Sequence, residues 1–330
     1  GAVLVKNRKI IAEGYHKKAG LPHAEAEVIS HAKDNIAGST LYVTLEPCSH
    51  TDKRTPPCTK TIISSKIKRV VIAMIDPNPK VSGTGIRLLK DAGIDVQVGV
   101  LANEAQKLNE FYVKYIKTGI PFVILKTAMT LDGKTATPQG ESKWISSEES
   151  RRLVHRLRGV VDAVLTGSGT VRADNPRFTT RIKGLRDPLR IIIDPDLAIP
   201  DGYHVLDMPP QTLIVTRSRN SRVQKLKERG IGIIPYSGDL DLQSLMATLA
   251  KRGIISLLIE GGATLASHAL NAGIVDKVMY FVAPKIIGGR ESYPAVGGTS
   301  YRTIEDALRV ENIRVRRIGE DILIEGYLKK

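Results

Sequence analysis

The stretch Thr40-Leu41-Tyr42-Val43-Thr44-Leu45-Glu46-Pro47-Cys48 has the pattern of a β-strand that runs into a Pro-Cys pair. Apolar and β-branched residues predict the strand over 40–45. The other cysteine of the chain is Cys58, and His23-Ala24-Glu25 lies about one helix and one strand upstream. One imidazole and two thiolates fill three tetrahedral positions on Zn²⁺ and leave the fourth for water. The sequence therefore predicts a zinc site formed by His23, Cys48 and Cys58, with Glu25 as a nearby carboxylate that is not a ligand.

The local structure expected around these residues suits a metal site. Pro22 predicts a helix start that places His23 and Glu25 in the first turn, and Pro47-Cys48 is expected to open the next helix or loop. Such starts favour an anionic thiolate or carboxylate. Zinc lowers the pKa of its bound water, and Glu25 can pass that proton to a departing amine, as in zinc hydrolytic deaminases. A pair of inert buried thiols or an incidental disulfide remains the alternative for Cys48 and Cys58.

The rest of the first third alternates β-rich runs with helical stretches, which predicts a layered α/β domain with a partly parallel sheet. A hairpin about Asn7-Arg8 is expected to join strands Ala2–Val5 and Ile10–Glu13. The other predicted strands are Arg69–Ile75 and Asp95–Val100, and the predicted helices are His23–Asn35, Thr59–Ser65, Thr84–Ala92 and Asn103–Lys117. Gly119-Ile120-Pro121 then interrupts the pattern. Since 330 residues exceed one ordinary core, we predict two domains, 1–118 and 119–330.

A second alternating series follows this boundary. Its predicted strands are Val123–Ala128, Ala163–Thr166, Arg190–Ile193, Thr212–Thr216, Gly232–Pro235 and Leu257–Ile259. Its predicted helices are Ser147–Arg158, Ser221–Arg229, Leu242–Lys251 and Thr264–Ala272. The end of the chain predicts further strands, and Arg314-Val315-Arg316-Arg317 mixes charged and apolar residues as an edge strand does.

Composition narrows the possible functions. A formal net charge of +15 raises the possibility of a nucleic-acid partner, but aromatic residues make up only 5% of the chain and include one Trp for stacking. Solvated faces and small phosphorylated ligands are the favoured explanation. No apolar run approaches the length of a membrane span, so no membrane partner is expected. Two cysteines are too few for a disulfide framework, which predicts a cytoplasmic protein, and the start at Gly1 resembles an internal start rather than a signal peptide.

Five motifs resemble the deaminase half of the bifunctional riboflavin-biosynthesis deaminase/reductase family. They are Gly14-Tyr15-His16, Pro22-His23-Ala24-Glu25, Thr44-Leu45-Glu46-Pro47-Cys48-Ser49-His50, Thr55-Pro56-Pro57-Cys58 and Asp76-Pro77-Asn78-Pro79. The resemblance implies a cytidine-deaminase-like three-layer fold, zinc on the three ligands above and proton transfer by Glu25. It also implies substrate contacts from His16, His50, Lys53, Asp76 and Asn78.

The spacer between the two cysteines, Ser49 to Pro57, is longer than the spacer usual in nucleoside and nucleic-acid deaminases, which favours the riboflavin family. It is one residue longer than that family's usual spacer, so the register of Lys53 and Arg54 within it is left open. The family's opening helix and its Pro-Asn-Pro-x-Val-Gly segment would lie before Gly1.

The second half resembles the reductase half of the same family, which has a dihydrofolate-reductase-like fold. The matching motifs are Leu125-Lys126-Thr127-Ala128, Leu131-Asp132-Gly133-Lys134, Gly140-Glu141-Ser142-Lys143-Trp144-Ile145, Gly167-Ser168-Gly169-Thr170-Val171, Asp174-Asn175-Pro176 and Glu260-Gly261-Gly262. Gly167–Thr170 and Gly261–Thr264 are strand ends that run into small residues, where backbone N–H groups can approach phosphate. Simple helix caps are the alternative. Lys126 lies in an apolar strand where an unpaired charge would be costly, which favours a functional role.

The resemblance also implies the roles of individual residues in this half. NADPH contacts are expected from Ala128, Trp144, Thr170, Asp174, Gly262, Ala263, Thr264, Leu265, Ala266, Ser267 and His268. The ribose phosphate is expected near Ser142, Arg158, Phe178 and Arg181, and guanidinium forks suit phosphate. Lys126, Asp174 and Glu260 are expected near the reacting sugar carbon.

The predicted function is therefore a two-step enzyme that deaminates a phosphorylated diaminopyrimidine and then reduces its ribosyl group with NADPH. The expected partners are this small phosphorylated substrate and further copies of the chain. Two alternatives remain: a reductase with a degenerate deaminase domain, and, in a different class, a nucleic-acid-binding zinc protein supported by charge alone.

Overall fold

The structure is a computed structural model that describes residues 1–17, 20–32, 35–50, 56–298 and 303–329. The chain divides into two compact units, Gly1–Thr118 and Gly119–Lys330. Each unit contains a sheet and a hydrophobic core of its own.

A five-stranded sheet organises the first unit. Its strands are β1 Ala2–Lys6, β2 Lys9–Gly14, β3 Thr40–Val43, β4 Arg69–Ile72 and β5 Asp95–Val98. The order is β2-β1-β3-β4-β5, in which β1 pairs antiparallel with β2 and β3, whereas β3, β4 and β5 are parallel. Asn7 and Arg8 form the hairpin turn with φ angles of 50° and 60°, which match the turn favoured by the twist of paired strands. The predicted hairpin and partly parallel sheet are confirmed.

The helices of the first unit are α1 Ala24–His31, α2 Cys58–Ser64, α3 Thr84–Asp91, α4 Ala102–Leu108 and α5 Glu110–Thr118. Two predicted helices were wrong in extent. α1 ends at His31 instead of Asn35, because Ala32 takes an extended conformation. The single helix predicted over 103–117 is two helices, because Asn109 ends α4 and its side-chain amide donates 2.8 Å back to the carbonyl of Ala105.

A larger sheet organises the second unit. Within the described residues its nine strands are β6 Phe122–Thr130, β8 Ala163–Gly167, β9 Leu189–Ile193, β10 Thr212–Thr216, β11 Gly232–Pro235, β12 Ser256–Glu260, β13 Lys277–Ala283, β15 Val310–Ile318 and β16 Asp321–Leu328. The order is β11-β10-β9-β8-β12-β6-β13-β16-β15, and all neighbours are parallel except β13 with β16 and β16 with β15. β7 Lys134–Ala136 and β14 Tyr293–Pro294 form a separate short pair.

The helices of this unit are α6 Glu148–Val160, α7 Ser168–Asp174, α8 His204–Asp207, α9 Ser221–Glu228, α10 Leu242–Lys251 and α11 Ala263–Asn271. The short helix α8 and the β7–β14 pair were not predicted. In the core, buried side chains of parallel strands, such as Leu165, Val215 and Ile259, pack with Leu249 of α10 and Ala269 of α11. Because β8, β12 and β6 are adjacent and parallel, their carboxyl ends meet at one edge of the sheet, where ligands bind in open α/β folds.

β15 is the last strand in the order of the large sheet, so it is an edge strand, as predicted. Its apolar side chains Ile313 and Val315 are 60% and 62% exposed, and arginines surround them. Within the described part of the chain, every helix is too short or too polar to cross a lipid bilayer.

Candidate active sites of the two units

The donor atoms of His23, Cys48 and Cys58 converge in the first unit. His23 Nδ1 lies 3.4 Å from Cys48 Sγ and 3.4 Å from Cys58 Sγ, and all three donors lie within 4.8 Å of one another. A tetrahedral zinc ion with bonds of about 2.0 Å to nitrogen and about 2.3 Å to sulfur holds those two atoms about 3.5 Å apart. The donor set and its spacing therefore fit zinc.

The fold places these donors at the starts of two helices and in one loop. His23 is the residue before α1, with φ −72° and ψ 164°, so the prediction that it lies within the first helical turn was wrong by one position. Cys58 opens α2, and its backbone N–H donates 3.3 Å to Cys48 Sγ. Cys48 lies in the loop after β3. An N–H aimed at sulfur favours the thiolate, the form that binds metal.

Glu25 lies in the first turn of α1 and is 8% exposed. Burial raises the pKa of its carboxyl above the ordinary value, against the opposing effects of a backbone hydrogen bond and of His23. The Cys48 thiol also raises the pKa of Glu25. Such a carboxyl holds a proton more readily than an exposed one, which suits a proton-transfer group.

Two histidines are predicted to contact substrate, and one of them, His16, contacts the ring of His23. The exposed His16 has its ring edge-on to His23, with centroids 5.0 Å apart, and its Nδ1 lies 3.0 Å from the carbonyl of Pro22. Nδ1 of His50 is buried and has no hydrogen-bond partner among the described residues. The predicted contact Lys53 lies outside the described residues.

Asp76 is buried near the metal-ligand loop. Its Oδ1 accepts 2.8 Å from the backbone N–H of Asn78 and 3.0 Å from the hydroxyl of Tyr112 on α5. Its own N–H donates 3.2 Å to Glu46, which precedes Pro47-Cys48. The sequence provided no sign of Tyr112, because nothing distinguishes it from other aromatic residues on an amphipathic helix.

In the second unit, Lys126 and Glu260 face each other across neighbouring parallel strands. They are register partners on β6 and β12, and Lys126 Nζ lies 3.9 Å from Glu260 Oε2. Burial lowers the pKa of Lys126, and Arg158 acts in the same direction, whereas Glu260 opposes both. Burial alone would raise the pKa of Glu260, but Arg158 and Lys126 outweigh it and hold that pKa below its usual value. The lysine charge is thus paired, as its apolar strand requires.

Arg158 donates a bidentate pair of hydrogen bonds to the same carboxylate. Its Nε lies 2.6 Å from Glu260 Oε1 and its Nη2 lies 2.9 Å from Oε2. Its Nη1 donates 3.2 Å to the carbonyl of Thr179, and the guanidinium lies 5.5 Å from the ring centroid of Phe178. The predicted phosphate contact of Arg158 is not tested by these bonds, but they show that its fork already binds Glu260.

Two further predicted residues, Ser142 and Asp174, meet at the end of α7, and a third, Trp144, lies beside Arg151 of α6. Ser142 Oγ donates 3.1 Å to Asp174 Oδ1, and Lys143 Nζ donates 3.2 Å to the Asp174 carbonyl. Trp144 is 61% exposed, and the guanidinium of Arg151 lies 4.4 Å from its ring centroid. Sequence motifs had indicated Ser142, Trp144 and Asp174, whereas Arg151 carried no signal.

Comparisons with known proteins match both units of the chain to described families. The family described as the RibD C-terminal domain matches residues 121–324, and the cytidine and deoxycytidylate deaminase zinc-binding region matches residues 1–74. The riboflavin biosynthesis protein RibD of Aquifex aeolicus (strain VF5) is 45% identical over 326 residues, which cover 98% of this chain and 90% of that protein. The chain belongs to the RibD family.

Solved RibD structures resemble this chain over nearly its whole length. Acinetobacter baumannii RibD in its first form gives a TM-score of 0.88 at 36% identity and covers 100% of this chain and 92% of its own. A diaminohydroxyphosphoribosylaminopyrimidine deaminase/5-amino-6-(5-phosphoribosylamino)uracil reductase from Thermotoga maritima gives 0.87 at 37% identity, with coverage of 99% and 91%. RibD membership confirms the predicted fold class, a cytidine-deaminase-like domain followed by a dihydrofolate-reductase-like domain. The predicted cofactors, zinc and NADPH, are those of the family.

The surface that suits NADPH in this RibD-family chain lies where β8 and β12 end. Each strand runs through glycine into a helix, as predicted, and the N–H of Gly262 donates 3.0 Å to Thr170 Oγ1 across the two turns. A Cβ added at Gly167 or Gly169 would meet no atom within 4 Å, so open space borders these turns. Small residues beside open space at paired helix starts fit a phosphate-bearing cofactor.

The other residues predicted to contact the cofactor lie on β6 and α11 and differ in their exposure to solvent. Ala128 follows Lys126 by two residues on β6, so both side chains point to the same face of the strand. On α11, Thr264 and His268 are exposed, whereas Ala263 is half-buried and Ser267 is buried. Leu265 and Ala266 belong to the hydrophobic core, so only their backbone atoms are available to a ligand.

Proposed function

We propose that the chain catalyses two consecutive steps of riboflavin biosynthesis. The first unit hydrolyses the 2-amino group of a phosphoribosylamino-diaminopyrimidinone to give the aminouracil and ammonia. The second unit reduces the ribosyl group of that product to the ribityl group with NADPH. The observation that carries this proposal is the presence, in one RibD-family chain, of a His/Cys/Cys donor set beside Glu25 and of a buried Lys126–Glu260–Arg158 cluster.

In the first unit, His23, Cys48 and Cys58 would hold the metal, and Glu25 moves protons. Zinc, when bound, activates water at neutral pH. Glu25 takes a proton from that water and delivers it to the leaving amine, so the products are a ring carbonyl and ammonia. Its burial makes the carboxyl a better proton holder, as the raised pKa indicates. Asp76, Asn78, His16, His50 and Lys53 orient the pyrimidine.

In the second unit, Lys126 supplies a proton close to C1′ of the substrate. Opening of the ribosylamine ring leaves a C1′=N bond, and its reduction requires a hydride at carbon and a proton at nitrogen. NADPH, when bound, is the source of the hydride. Lys126 Nζ can donate the proton because burial lowers its pKa, while the paired Glu260 keeps it charged until transfer. Asp174 orients the sugar together with Ser142.

The phosphate of the substrate is held near Ser142, Arg158, Phe178 and Arg181. Phe178 and Arg181 have φ angles of 51° and 53°, a left-handed conformation that costs non-glycine residues free energy and is concentrated at functional sites. Since the Arg158 fork binds Glu260, we assign the larger share of phosphate binding to Arg181.

The assembly and the compartment are parts of the same proposal. A homo-oligomer is supported by the edge strand β15, whose Ile313 and Val315 are exposed. A reducing, cytoplasmic setting is supported by the proximity of both cysteine sulfurs to His23. The two cysteines can bind a metal together with His23 only while they are reduced to thiolates. Light scattering at several protein concentrations tests the assembly, and a monomer throughout would contradict it.

A two-substrate assay of the zinc-loaded protein tests the function. Given the diamino compound and NADPH, the unmutated chain should release ammonia and then oxidise NADPH. Glu25→Gln should stop ammonia release and keep zinc, yet still reduce the aminouracil substrate. Reduction without any deamination by the unmutated, zinc-loaded chain would support instead a reductase with a degenerate deaminase unit.

A further inference from the structure

The hydroxyl of Tyr112 contacts both carboxylate oxygens of Asp76, at 3.0 Å from Oδ1 and 3.3 Å from Oδ2. Tyr112 lies on α5, far along the chain from the metal ligands and outside every motif noted above. Burial raises the pKa of Tyr112, and Asp76 raises it further. The hydroxyl is therefore a hydrogen-bond donor at all physiological pH values.

The two oxygens of Asp76 are not equally occupied. Oδ1 accepts from the backbone N–H of Asn78 at 2.8 Å and from the Tyr112 hydroxyl at 3.0 Å. Among the hydrogen bonds of the described residues, Oδ2 has only the longer contact with that hydroxyl, at 3.3 Å. A carboxylate oxygen accepts two hydrogen bonds, and the single hydroxyl hydrogen can point fully at only one oxygen. Oδ2 thus retains capacity for an N–H donor.

The backbone of Asp76 is fixed independently of its side chain. Glu46, which is 2% exposed, accepts from the N–H of Asp76 at 3.2 Å and of Gly83 at 3.0 Å through Oε2. Its Oε1 accepts from the N–H of Ile86 at 3.2 Å. Because Glu46 lies two residues before Cys48, one buried carboxylate joins the metal-ligand loop to the segment that carries Asp76. Glu46 holds the backbone of Asp76, and the Asn78 N–H together with the Tyr112 hydroxyl sets the direction of its carboxylate.

We propose that Tyr112 is a positioning residue of the deaminase unit, which turns Asp76 so that Oδ2 accepts an N–H of the aminopyrimidine. This inference rests on the proposed function. The ligand chemistry is a ring or exocyclic N–H donor, since an ionised carboxylate is an acceptor only. Tyr112 itself does not contact the reacting atoms.

Tyr112→Phe tests the proposal because it removes the hydroxyl and keeps the ring. The KM for deamination should rise about tenfold, the effect expected when a hydrogen bond to a charged group is lost. The kcat should change by less than about twofold, because the lost contact serves substrate binding and not proton transfer. Tyr115→Phe, on the same helix, is the matched control and should leave both constants unchanged. The kinetics of reduction and the zinc content should be unaltered in both variants.

A second pair of variants separates positioning from general support of the fold. If Tyr112 acts through Asp76, Tyr112→Phe should have little further effect in an Asp76→Asn background, because coupled residues are not additive. A structural role would instead add the same loss in both backgrounds and lower the thermal unfolding temperature of the first unit.

The outcomes distinguish this inference from the function on which it rests. An unchanged KM in Tyr112→Phe, or a fall in kcat accompanied by loss of zinc, overturns the role of Tyr112 while deamination by the unmutated chain stands. Absence of deamination in the unmutated, zinc-loaded chain overturns the proposed function itself.

Discussion

Lys126 Nζ lies 3.9 Å from Glu260 Oε2, and the two residues are direct partners across the parallel strands β6 and β12. The pair is set by the register of the sheet and not by a flexible loop. The sheet therefore fixes the backbone positions of both residues, and their strand neighbours Leu125 and Ile259 are buried in the core.

Replacement of this lysine tests its role as proton donor. Lys126→Met keeps the aliphatic part of the side chain and should lower the kcat of reduction at least about 100-fold, the usual size of a general-acid effect. The aminouracil should accumulate when the diamino substrate is supplied, and stopped assays for both products would show it. Lys251→Met, an exposed lysine at the end of α10, is the control. Normal reduction by Lys126→Met would remove Lys126 from the mechanism.

Loss of a thiolate should empty the metal site. Cys58→Ser removes one of the three donors that lie within 4.8 Å of one another, so the ratio of zinc to protein should fall from about one to near zero. Deamination should disappear with it, and reduction should continue. Thr61→Ser, on the same helix, should retain the metal. Full zinc content in Cys58→Ser, measured by elemental analysis, would contradict the ligand assignment.

The strained loop 178–181 should depend on Asp187. Its Oδ1 accepts 2.7 Å from the N–H and 3.0 Å from the hydroxyl of Thr180, between the left-handed residues Phe178 and Arg181. Asp187→Ala should relax the loop and raise the KM of the phosphorylated reductase substrate about tenfold. Asp187→Asn keeps an acceptor oxygen and should restore much of the affinity.

Asp196→Ala serves as the control for this loop, because Asp196 is an exposed residue that pairs with Arg217 elsewhere in the unit. It should leave the KM unchanged. Equal KM values for Asp187→Ala and the unmutated enzyme would show that the loop holds its shape without this carboxylate.

The stability of the second unit should depend on pH through Glu260. Its pKa is held below the ordinary 4.5, because Arg158 and Lys126 outweigh the effect of burial. A carboxyl with a depressed folded-state pKa contributes stability that is present above its unfolded pKa and is lost as the pH falls through the folded pKa. Glu260→Gln should therefore cost about 3–5 kcal/mol at neutral pH, and the difference from the unmutated protein should narrow below about pH 4.5.

Urea unfolding followed by tryptophan fluorescence can measure this difference, since the single Trp144 lies in the second unit. Glu291→Gln, at an exposed position, is a suitable control. A constant difference between Glu260→Gln and the unmutated protein at all pH values would contradict the depressed pKa.

The regular elements were predictable where the local signal and the tertiary structure agree. The strands at Thr212–Thr216 and Gly232–Pro235 and the helix Leu242–Lys251 have the predicted bounds. Short apolar runs bounded by turn residues indicate buried strands, and apolar residues at helical spacing indicate an amphipathic helix. The division of 103–117 into two helices was not predictable. It depends on Asn109, whose side chain contacts Met74 at 3.7 Å, and periodicity does not reveal such a contact.

The residues of the candidate sites were likewise predicted only in part from the sequence. His23, Cys48 and Cys58 were found from residue types and spacing, because zinc accepts few kinds of ligand. Tyr112 and Asp187 were missed, since each acts by a hydrogen bond to a residue distant in the sequence or inside a loop. The bidentate contact of Arg158 with Glu260 was also missed, because it joins residues that lie 102 positions apart in the sequence.

Gly85, the second residue of α3, has no side chain to offer to catalysis, yet its place in the fold is as restricted as that of a metal ligand. A Cβ added there would lie 2.2 Å from the carbonyl oxygen of Pro47, which is a backbone atom that cannot move aside alone. Even alanine would have to push the helix away from the residues that flank Cys48. A survey of all single substitutions in the first unit should find Gly85 about as intolerant of substitution as Cys48. Intolerance to substitution therefore does not by itself identify a catalytic residue.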